Sequence, residues 1–367
     1  MIRDFVKNEI KPIAAQIERE SHFPVEVIAK MKDLGLLGMT TPEQYGGSGI
    51  DELGFILAIE EISRVCASTA ITIAVHHSVV QEPINNFGTT AQKSTYLTAL
   101  ATGKYLGAFA LTEANAGSDA ASIRTTAVRD GDSYILNGSK MFITNGGVAG
   151  LVLVAAVTKK VEGKNEISLF LVETGTPGFS IGKKEDKMGL RASNTVELIF
   201  DDCRIPASNL LGKEGEGFKI IMNTLDGSRI GVAAQALGVA RGAFDAALCY
   251  SRERQQFNRP LAHFQAIQFM LADMATDIDA AALLTYRAAV LKDQGKKFTR
   301  EASMAKLFAS EMVQRVVTQA LQIHGGYGYM KDYDVERFYR DARVMSIYEG
   351  TSEVQRIVIA RTLMQSW

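Results

Sequence analysis

Little in this 367-residue chain points to disulfide or metal chemistry. Its three cysteines, Cys66, Cys203 and Cys249, lie far apart with no C-x-x-C spacing, which argues against a disulfide framework or a zinc site and suits a reducing compartment. Five histidines include the neighbours His76 and His77, which cannot share one helical face, and no H-E-x-x-H spacing occurs, so no metal is expected. The formal net charge is only -1, which leaves no electrostatic footprint for nucleic acid. At 47% hydrophobic and 22% charged residues the chain is not of the disordered class. No apolar run approaches the ~18 to 20 residues that cross a bilayer, so no membrane span is expected. The opening MIRDFVKNEIKP lacks the apolar core of a signal peptide and is too acidic for a typical transit peptide. These features predict a cytoplasmic protein, with the mitochondrial matrix after processing as the alternative. Phosphate loops are missing as well: GTTAQKST (88–95) lacks the second glycine of a Walker loop, and GKEGEGF (212–218) lacks the strand-then-helix G-x-G-x-x-G order. A doubly wound nicotinamide enzyme is thus disfavoured.

What is present falls into three zones. Up to about residue 105 apolar residues recur three or four apart, as in Ile2, Val6, Ile10, Ile13 and Ile17 or in Phe55, Ile56, Ile59 and Ile62, which predicts helices. Pro24 opens one of them, and Gly35 and Gly38 end it. Between about 106 and 212 the runs shorten to SYILNG (133–138), LVLVAAV (151–157), ISLFLVE (167–173) and VELIF (196–200), punctuated by Gly, Asn and Asp. They are too closely spaced for crossover helices, so an antiparallel barrel or sandwich is predicted. From about 213 long helical patterns return at 218–257, 263–294, 298–324 and 352–364, with a stop at Gly325-Gly326. The stretch GVAAQALGVARGAFDAA would let helices approach closely. The expected fold is α+β, mainly α: an N-terminal helical domain (1–105), a middle β domain (106–212) and a C-terminal four-helix bundle (213–367).

Two segments of the middle zone carry candidate chemistry. FALTEANAGSD (109–119) and KMFITNGG (140–147) each join a strand-like run to hydroxyl, amide and glycine groups. Backbone donors with Thr112, Ser118 and Thr144 could meet a polar planar ligand, with Phe142 against its ring; an ordinary strand end in a turn has the same composition. Glu349, in SIYEGTSEVQR (346–356), poses a similar choice. Ser352 followed by Gln355 predicts a capping box, and an acid near a helix N-terminus is stabilised by the macrodipole. A proton-moving role needs a cofactor and a substrate to meet the carboxylate.

Together with LDGSRIGVAAQALG (225–238), RERQQF (252–257), QIHGGYGY (322–329) and IYEGTSE (347–353), these segments resemble the acyl-CoA dehydrogenase family in order and separation, over essentially the whole chain and most closely in its short-chain, butyryl-CoA type. The resemblance implies FAD as cofactor and a homotetramer assembled as a dimer of dimers. It implies α,β-dehydrogenation of a short-chain acyl-CoA, with medium or branched chains as the wider range, to the trans-2-enoyl-CoA, and an electron-transferring flavoprotein as acceptor. By the same similarity Phe109, Leu111, Thr112, Gly117, Ser118, Phe142, Ile143 and Thr144 would hold the isoalloxazine, with Thr144 near N5 and Thr112 toward the pyrimidine edge. Arg254, Phe257, Gln265, Gln322, Gly325 and Gly326 would hold the adenosine and pyrophosphate end, largely from a neighbouring subunit, with Thr351 and Glu353 as further cofactor contacts. Ser118, Asp226, Gly227, Ser228, Arg229, Ile230 and Gly350 would line the thioester path. Read locally, Asp226 and Arg229 are a surface helical ion pair worth ~0.2 to 0.5 kcal/mol.

The resemblance makes Glu349 the base that removes the proton next to the thioester carbonyl. Some branches of the family carry the base on the bundle helix, at positions matching Gly227, Ser228 and Arg229, and no carboxylate stands there. Ala114 replaces a proline of many members and Phe142 a tryptophan, and the chain starts later than is usual for the family. Two other readings stay open: an oxidase on the same scaffold that reduces O₂, and a non-catalytic acyl-CoA-binding protein, against which the retention of Glu349 weighs.

Overall fold

The structure is a computed structural model and describes residues 1–365. Helices and turns fill the chain up to Ala101, strands run between Gly107 and Leu211, and helices return from Gly217 to Gln365. The four long helical patterns appear as Gly217–Glu253, Gln265–Asp293, Thr299–His324 and Ser352–Gln365. A fifth helix of this region, Val335–Ala342, has no counterpart in the sequence reading. Its inward face includes Arg337 and Asp341 beside Val335 and Phe338, so charge masks the apolar period.

Gly217–Glu253 is the axis of the molecule, buried on every side from Gly227 to Ala240. By length and composition it is apolar enough to cross a membrane, yet 67% of its most apolar stretch is buried inside the protein, as in a core helix. A scan for uninterrupted apolar runs passes over it because Gln235 and Arg241 break the stretch. Its glycines do what their spacing suggests. A Cβ at Gly238 would sit 2.2 Å from the Glu60 carbonyl oxygen, and one at Gly242 would sit 2.3 Å from that of Arg64, so only glycine admits the helix Glu52–Ser63 at this distance. That helix is capped twice: the Asp51 side chain accepts from Gly54 N at 2.8 Å, and Asp293, at the far end of Gln265–Asp293, accepts from the N–H groups of Glu52 (2.7 Å) and Leu53 (3.1 Å). Three of the orphan donors at its N-terminus are thereby satisfied.

The sheet contains β1 (Gly107–Ala110), β2 (Thr126–Asp130), β3 (Ser133–Thr144), β4 (Leu151–Val161), β5 (Lys164–Glu173), β6 (Phe179–Lys184), β7 (Thr195–Pro206) and β8 (Leu210–Leu211). Its order is β6-β7-β3-β2-β4-β5-β8, with β1 also on β4. Most pairings are antiparallel as expected, but β1 runs parallel to β4, and β2 meets β4 in parallel at Thr126 and Val157. β4 is buried on both faces from Leu151 to Val157, which is why its sequence is a continuous apolar run and not an alternating one. The register of β3 against β7 shifts between Lys140 and Ile143, a bulge that re-aims the intervening side chains.

Candidate active site

Glu349 lies in a tight loop between the turn Arg343–Ser346 and the helix Ser352–Gln365. Its φ is +53° and that of Gly350 is +89°. A left-handed residue other than glycine costs about 1–2 kcal/mol, so the loop must be held by its surroundings. Gln355 Nε2 donates to the carbonyls of Glu349 (3.2 Å) and Gly350 (3.0 Å), and Lys306 Nζ donates to that of Gly350 at 2.6 Å. A Cβ at position 350 would fall 2.7 Å from Gln355 Nε2.

The expected Ser352–Gln355 capping box does not form. Thr351 is the cap: its Oγ1 accepts from Val354 N at 3.3 Å and its carbonyl accepts from Gln355 N at 3.0 Å. Ser352 is already helical and its Oγ is buried without a hydrogen-bond partner. Gln355, the other half of the expected box, is drawn instead to the two loop carbonyls. Glu353 is exposed, and a hydrogen bond from its own N–H together with one from the Thr351 side chain holds its carboxyl below the ordinary range.

The Glu349 carboxylate accepts a hydrogen bond from Ser228 Oγ at 2.7 Å. Burial raises its pKa above the ordinary glutamate value, against the pull of the Ser228 hydrogen bond and of the Arg229 and Lys306 charges. The residue as a whole is half-buried; crowding around the carboxylate itself sets this direction. Ser228 and Arg229 stand on the long helix beside the buried Gly227 and Ile230. Arg229, 4% exposed, pairs with Asp226 at 2.5 Å, and Asp226 accepts from Thr299 Oγ1 at 2.6 Å. The surface-pair reading of Asp226 and Arg229 is therefore excluded: burial lowers the Arg229 pKa and raises that of Asp226.

The segments 109–119 and 140–147 come together across one backbone bond, Met141 N to the Thr112 carbonyl at 2.8 Å, and one buried ion pair. Lys140 Nζ sits 2.7 Å from Glu113 Oε1 and 3.0 Å from the Leu111 carbonyl, while Glu113 also accepts from Arg124 N (2.6 Å) and Thr125 N (3.0 Å). Burial lowers the Lys140 pKa to about 8. For Glu113 burial acts upward, but the hydrogen bond and charge of Lys140 and the bonds to Thr125 bring the carboxyl below its ordinary value. Pinned this way, the bulge leaves Phe142 at φ +60° and 61% exposed, next to the buried Ile143 and the half-buried Thr144. Phe109 and Thr112 are half-buried, Leu111 is buried, and Gly117 and Ser118 are exposed. An exposed aromatic face rimmed by hydroxyl and backbone groups fits a planar ring with polar edges.

One helix ties this surface to the Glu349 loop. Tyr348 Oη donates to Gln235 Oε1, and Gln235 Nε2 donates to the Ala67 carbonyl at 2.9 Å. Asn145, directly after Thr144, donates through Nδ2 to the carbonyls of Thr72 (3.0 Å) and Gly107 (3.1 Å). Ala67 and Thr72 belong to the wholly buried helix Ala67–Val75 and stand about 7.5 Å apart along its axis.

Away from Glu349, a cleft of about 590 Å³ is lined by Tyr250, Arg254, Gly325, Gly326 and Tyr327 among others. The Arg254 guanidinium lies 5.3 Å from the Tyr327 ring centre, and open space surrounds Gly325 and Gly326, so a cation and bare backbone are available to an anionic group. Gln265 and Gln322 are exposed and not part of this lining, and Phe257, 86% exposed, stands at the tip of the hairpin Gln255–Pro260. Among the described residues no group of three His, Cys, Asp or Glu side chains could hold a metal ion. Burial pushes the Cys66 and Cys203 thiols up to about 11, which makes neither a nucleophile.

Sequence reasoning missed Lys306, Gln355 in its loop-holding role, Gln235, Asn145 and the pair Glu113–Lys140. Glu113, Lys140 and Asn145 fall inside the two cofactor-type segments, Gln235 inside 225–238 and Gln355 inside 346–356, whereas Lys306 lies in no such segment. Three stretches match acyl-CoA dehydrogenase descriptions: the N-terminal domain at residues 1–104, the middle domain at 108–203 and the C-terminal domain at 215–364. The chain is 51% identical over 360 residues to the short-chain specific acyl-CoA dehydrogenase of Clostridium acetobutylicum, covering 98% of this chain and 95% of that one. Its fold matches butyryl-CoA dehydrogenase from Megasphaera elsdenii with a TM-score of 0.97 at 49% identity, over 99% of this chain and 96% of that one. A chain from a structure of the electron transferring flavoprotein of Acidaminococcus fermentans matches with a TM-score of 0.97 at 52% identity, over 99% and 96%. Sharing half its residues with such proteins over nearly its full length, the chain belongs to the acyl-CoA dehydrogenase family.

Proposed function

We propose that this enzyme dehydrogenates a short-chain acyl-CoA to its trans-2-enoyl-CoA with FAD and passes the electrons to an electron-transferring flavoprotein. The observation that carries the reading is the Glu349 carboxylate: desolvated, hydrogen-bonded to Ser228, and tied through Tyr348, Gln235 and one buried helix to the strand that presents Phe142 and Thr144. The reaction removes H⁺ from the α-carbon and H⁻ from the β-carbon, a two-electron oxidation. Bound FAD would supply the hydride acceptor.

In this reading the chain's own groups do the rest. Glu349 takes the α-proton, and its raised pKa makes it a stronger base than an exposed glutamate. A substrate packed against Glu349 strips the remaining water and raises the pKa further. The Glu349 backbone N–H donates to the thioester oxygen, and such a donor contributes about 2.7–4 kcal/mol as the enolate charge develops. Ser228 orients the carboxylate from the helix position where other branches carry their base. Phe109, Leu111, Thr112, Gly117, Ser118, Phe142, Ile143 and Thr144 would hold the flavin ring. Arg254, Phe257, Gln265, Gln322, Gly325 and Gly326, with Thr351 and Glu353, would hold its nucleotide end. Ser118, Asp226, Gly227, Ser228, Arg229, Ile230 and Gly350 would line the substrate path.

The division into domains at 1–105, 106–212 and 213–367, the cytoplasmic location and the tetramer belong to the same proposal. The solvent-exposed Phe257, Tyr327, Tyr329 and Met330 beside the Arg254 cleft support assembly, because a second subunit would cover them and complete the nucleotide site. Anaerobic titration of the purified protein with saturated acyl-CoAs of graded length tests the cofactor, the reaction and the chain length, and a parallel aerobic assay reads the use of O₂. Flavin absorbance should bleach most readily with four-carbon chains. A colourless protein, or bleaching by none of them, would reject it, and stoichiometric O₂ consumption during turnover would favour an oxidase.

A further inference from the structure

Lys306 has no solvent exposure, although lysine is almost never fully buried without a charged partner in contact. Its ammonium instead donates to a neutral carbonyl, that of Gly350, at 2.6 Å. Gln355 already serves the same oxygen, so the carbonyl alone does not require a charge there. The charged groups around Lys306 are Glu349, Arg229, Glu353 and Glu311. Arg229 is engaged with Asp226, Glu311 with Arg356 at 2.6 Å, and Glu353 is exposed, which leaves Glu349, one residue before the carbonyl that the ammonium holds, as the carboxylate on which Lys306 acts. Arg229 and Lys306 are the two cations that act on Glu349, and Ser228 is its hydrogen-bond donor.

We propose that Lys306 is a positioning residue for the proton transfer: by holding the Gly350 carbonyl, one residue after Glu349, it fixes the left-handed loop and keeps the base ionised before substrate arrives. The inference rests on Glu349 as the base. Burial raises the Glu349 pKa and the Lys306 charge acts against it, and an unprotonated base is needed; burial brings the Lys306 pKa down to about 8, so its charge is present on the acid side. The charge comes from a buried position of the Thr299–His324 helix and reaches the loop through the Gly350 carbonyl.

The test separates proton transfer from oxidation. Holoenzyme reduced anaerobically with dithionite cannot accept a hydride, so loss of α-deuterium from α-deuterated butyryl-CoA, followed by NMR across pH 5–9, reports the base alone. Lys306→Met should raise the midpoint of the exchange rate by about one pH unit and slow exchange about tenfold on the acid side, because losing a neighbouring cation raises a carboxyl's pKa and Arg229 remains. Lys306→Arg should restore the midpoint. Gln355→Leu should slow exchange at every pH with the midpoint unchanged. If Lys306→Met does not fold, Lys306→Gln makes the same comparison. An unshifted midpoint in the charge-free variant would overturn the proposal and leave Lys306 a structural residue. Wild-type exchange in Glu349→Gln would instead overturn the assignment of the base, a separate failure that the same data set identifies.

Discussion

The Lys140–Glu113 pair gives the sharpest stability prediction, because it pins the two segments assigned to the flavin ring. Lys140 is 0% and Glu113 6% exposed, and the pair is 2.7 Å apart. In Lys140→Met the aliphatic stem is kept and the charge removed, so Glu113 remains a buried carboxylate with only the Arg124 and Thr125 N–H groups as donors. Breaking a buried pair from one side costs about 3–5 kcal/mol, whereas removing both charges is often near neutral. Lys140→Met/Glu113→Gln should therefore be more stable than Lys140→Met by about 2 kcal/mol, a coupling readable from urea denaturation in a double-mutant cycle. The pH dependence has a defined sign. In the wild type the depressed Glu113 pKa contributes stability above the unfolded value that is lost as pH falls through the folded one. In Lys140→Met the hydrogen bond and charge of Lys140 are gone and burial is opposed only by the backbone donors, so the Glu113 pKa rises and the folded state takes up a proton at higher pH than in the wild type. The gap between the two proteins should then narrow as pH falls from 7 toward 4. Additive single mutants, or a gap that widens in acid, would refute the reasoning.

Other consequences follow from the same contacts. Gly350→Ala should cost about 1–2 kcal/mol from its left-handed φ and displace Gln355, so kcat should fall with flavin content unchanged. Gln235→Leu removes the Gln235 partner of the buried Tyr348 hydroxyl, at about 1–3 kcal/mol, and the bond that ties the Ala67 carbonyl to the long helix, and should lower the unfolding midpoint along with kcat. Gly238→Val drives a side chain into the Glu60 carbonyl and should destabilise the protein by about 3 kcal/mol or leave it insoluble, checked by thermal melts and soluble yield. The acid limb of kcat/KM should have its midpoint above the ordinary glutamate pKa, since burial raises Glu349 and activity requires its ionised form, which is lost as pH falls.

Much of this was legible before the structure, and for identifiable reasons. Long amphipathic periods mark helices without ambiguity, which is why Gln265–Asp293 and Thr299–His324 fall within a few residues of expectation. The apolar run of β4 predicts a strand, but nothing in four residues of β1 says that it joins β4 in parallel. Phe142 and Glu349 stand in segments that resemble a family, and both turn out left-handed, which no propensity foretells for either residue. Lys306 was illegible because a lysine in a helix ordinarily reads as solvated surface, and only the fold brings it beneath the Gly350 carbonyl. The Thr351 cap was misassigned because Thr351 and Ser352 are adjacent capping residues, and the choice between them is made by the left-handed turn just before them.

The most direct test of the account is anaerobic mixing of Glu349→Gln holoenzyme with butyryl-CoA, read at the flavin absorbance band. Flavin content and product affinity should match the wild type, since Gln keeps the shape and can still meet Ser228, while bleaching should be slower by about four orders of magnitude or more for want of a base. Bleaching at the wild-type rate would contradict the central claim and move the base to another residue.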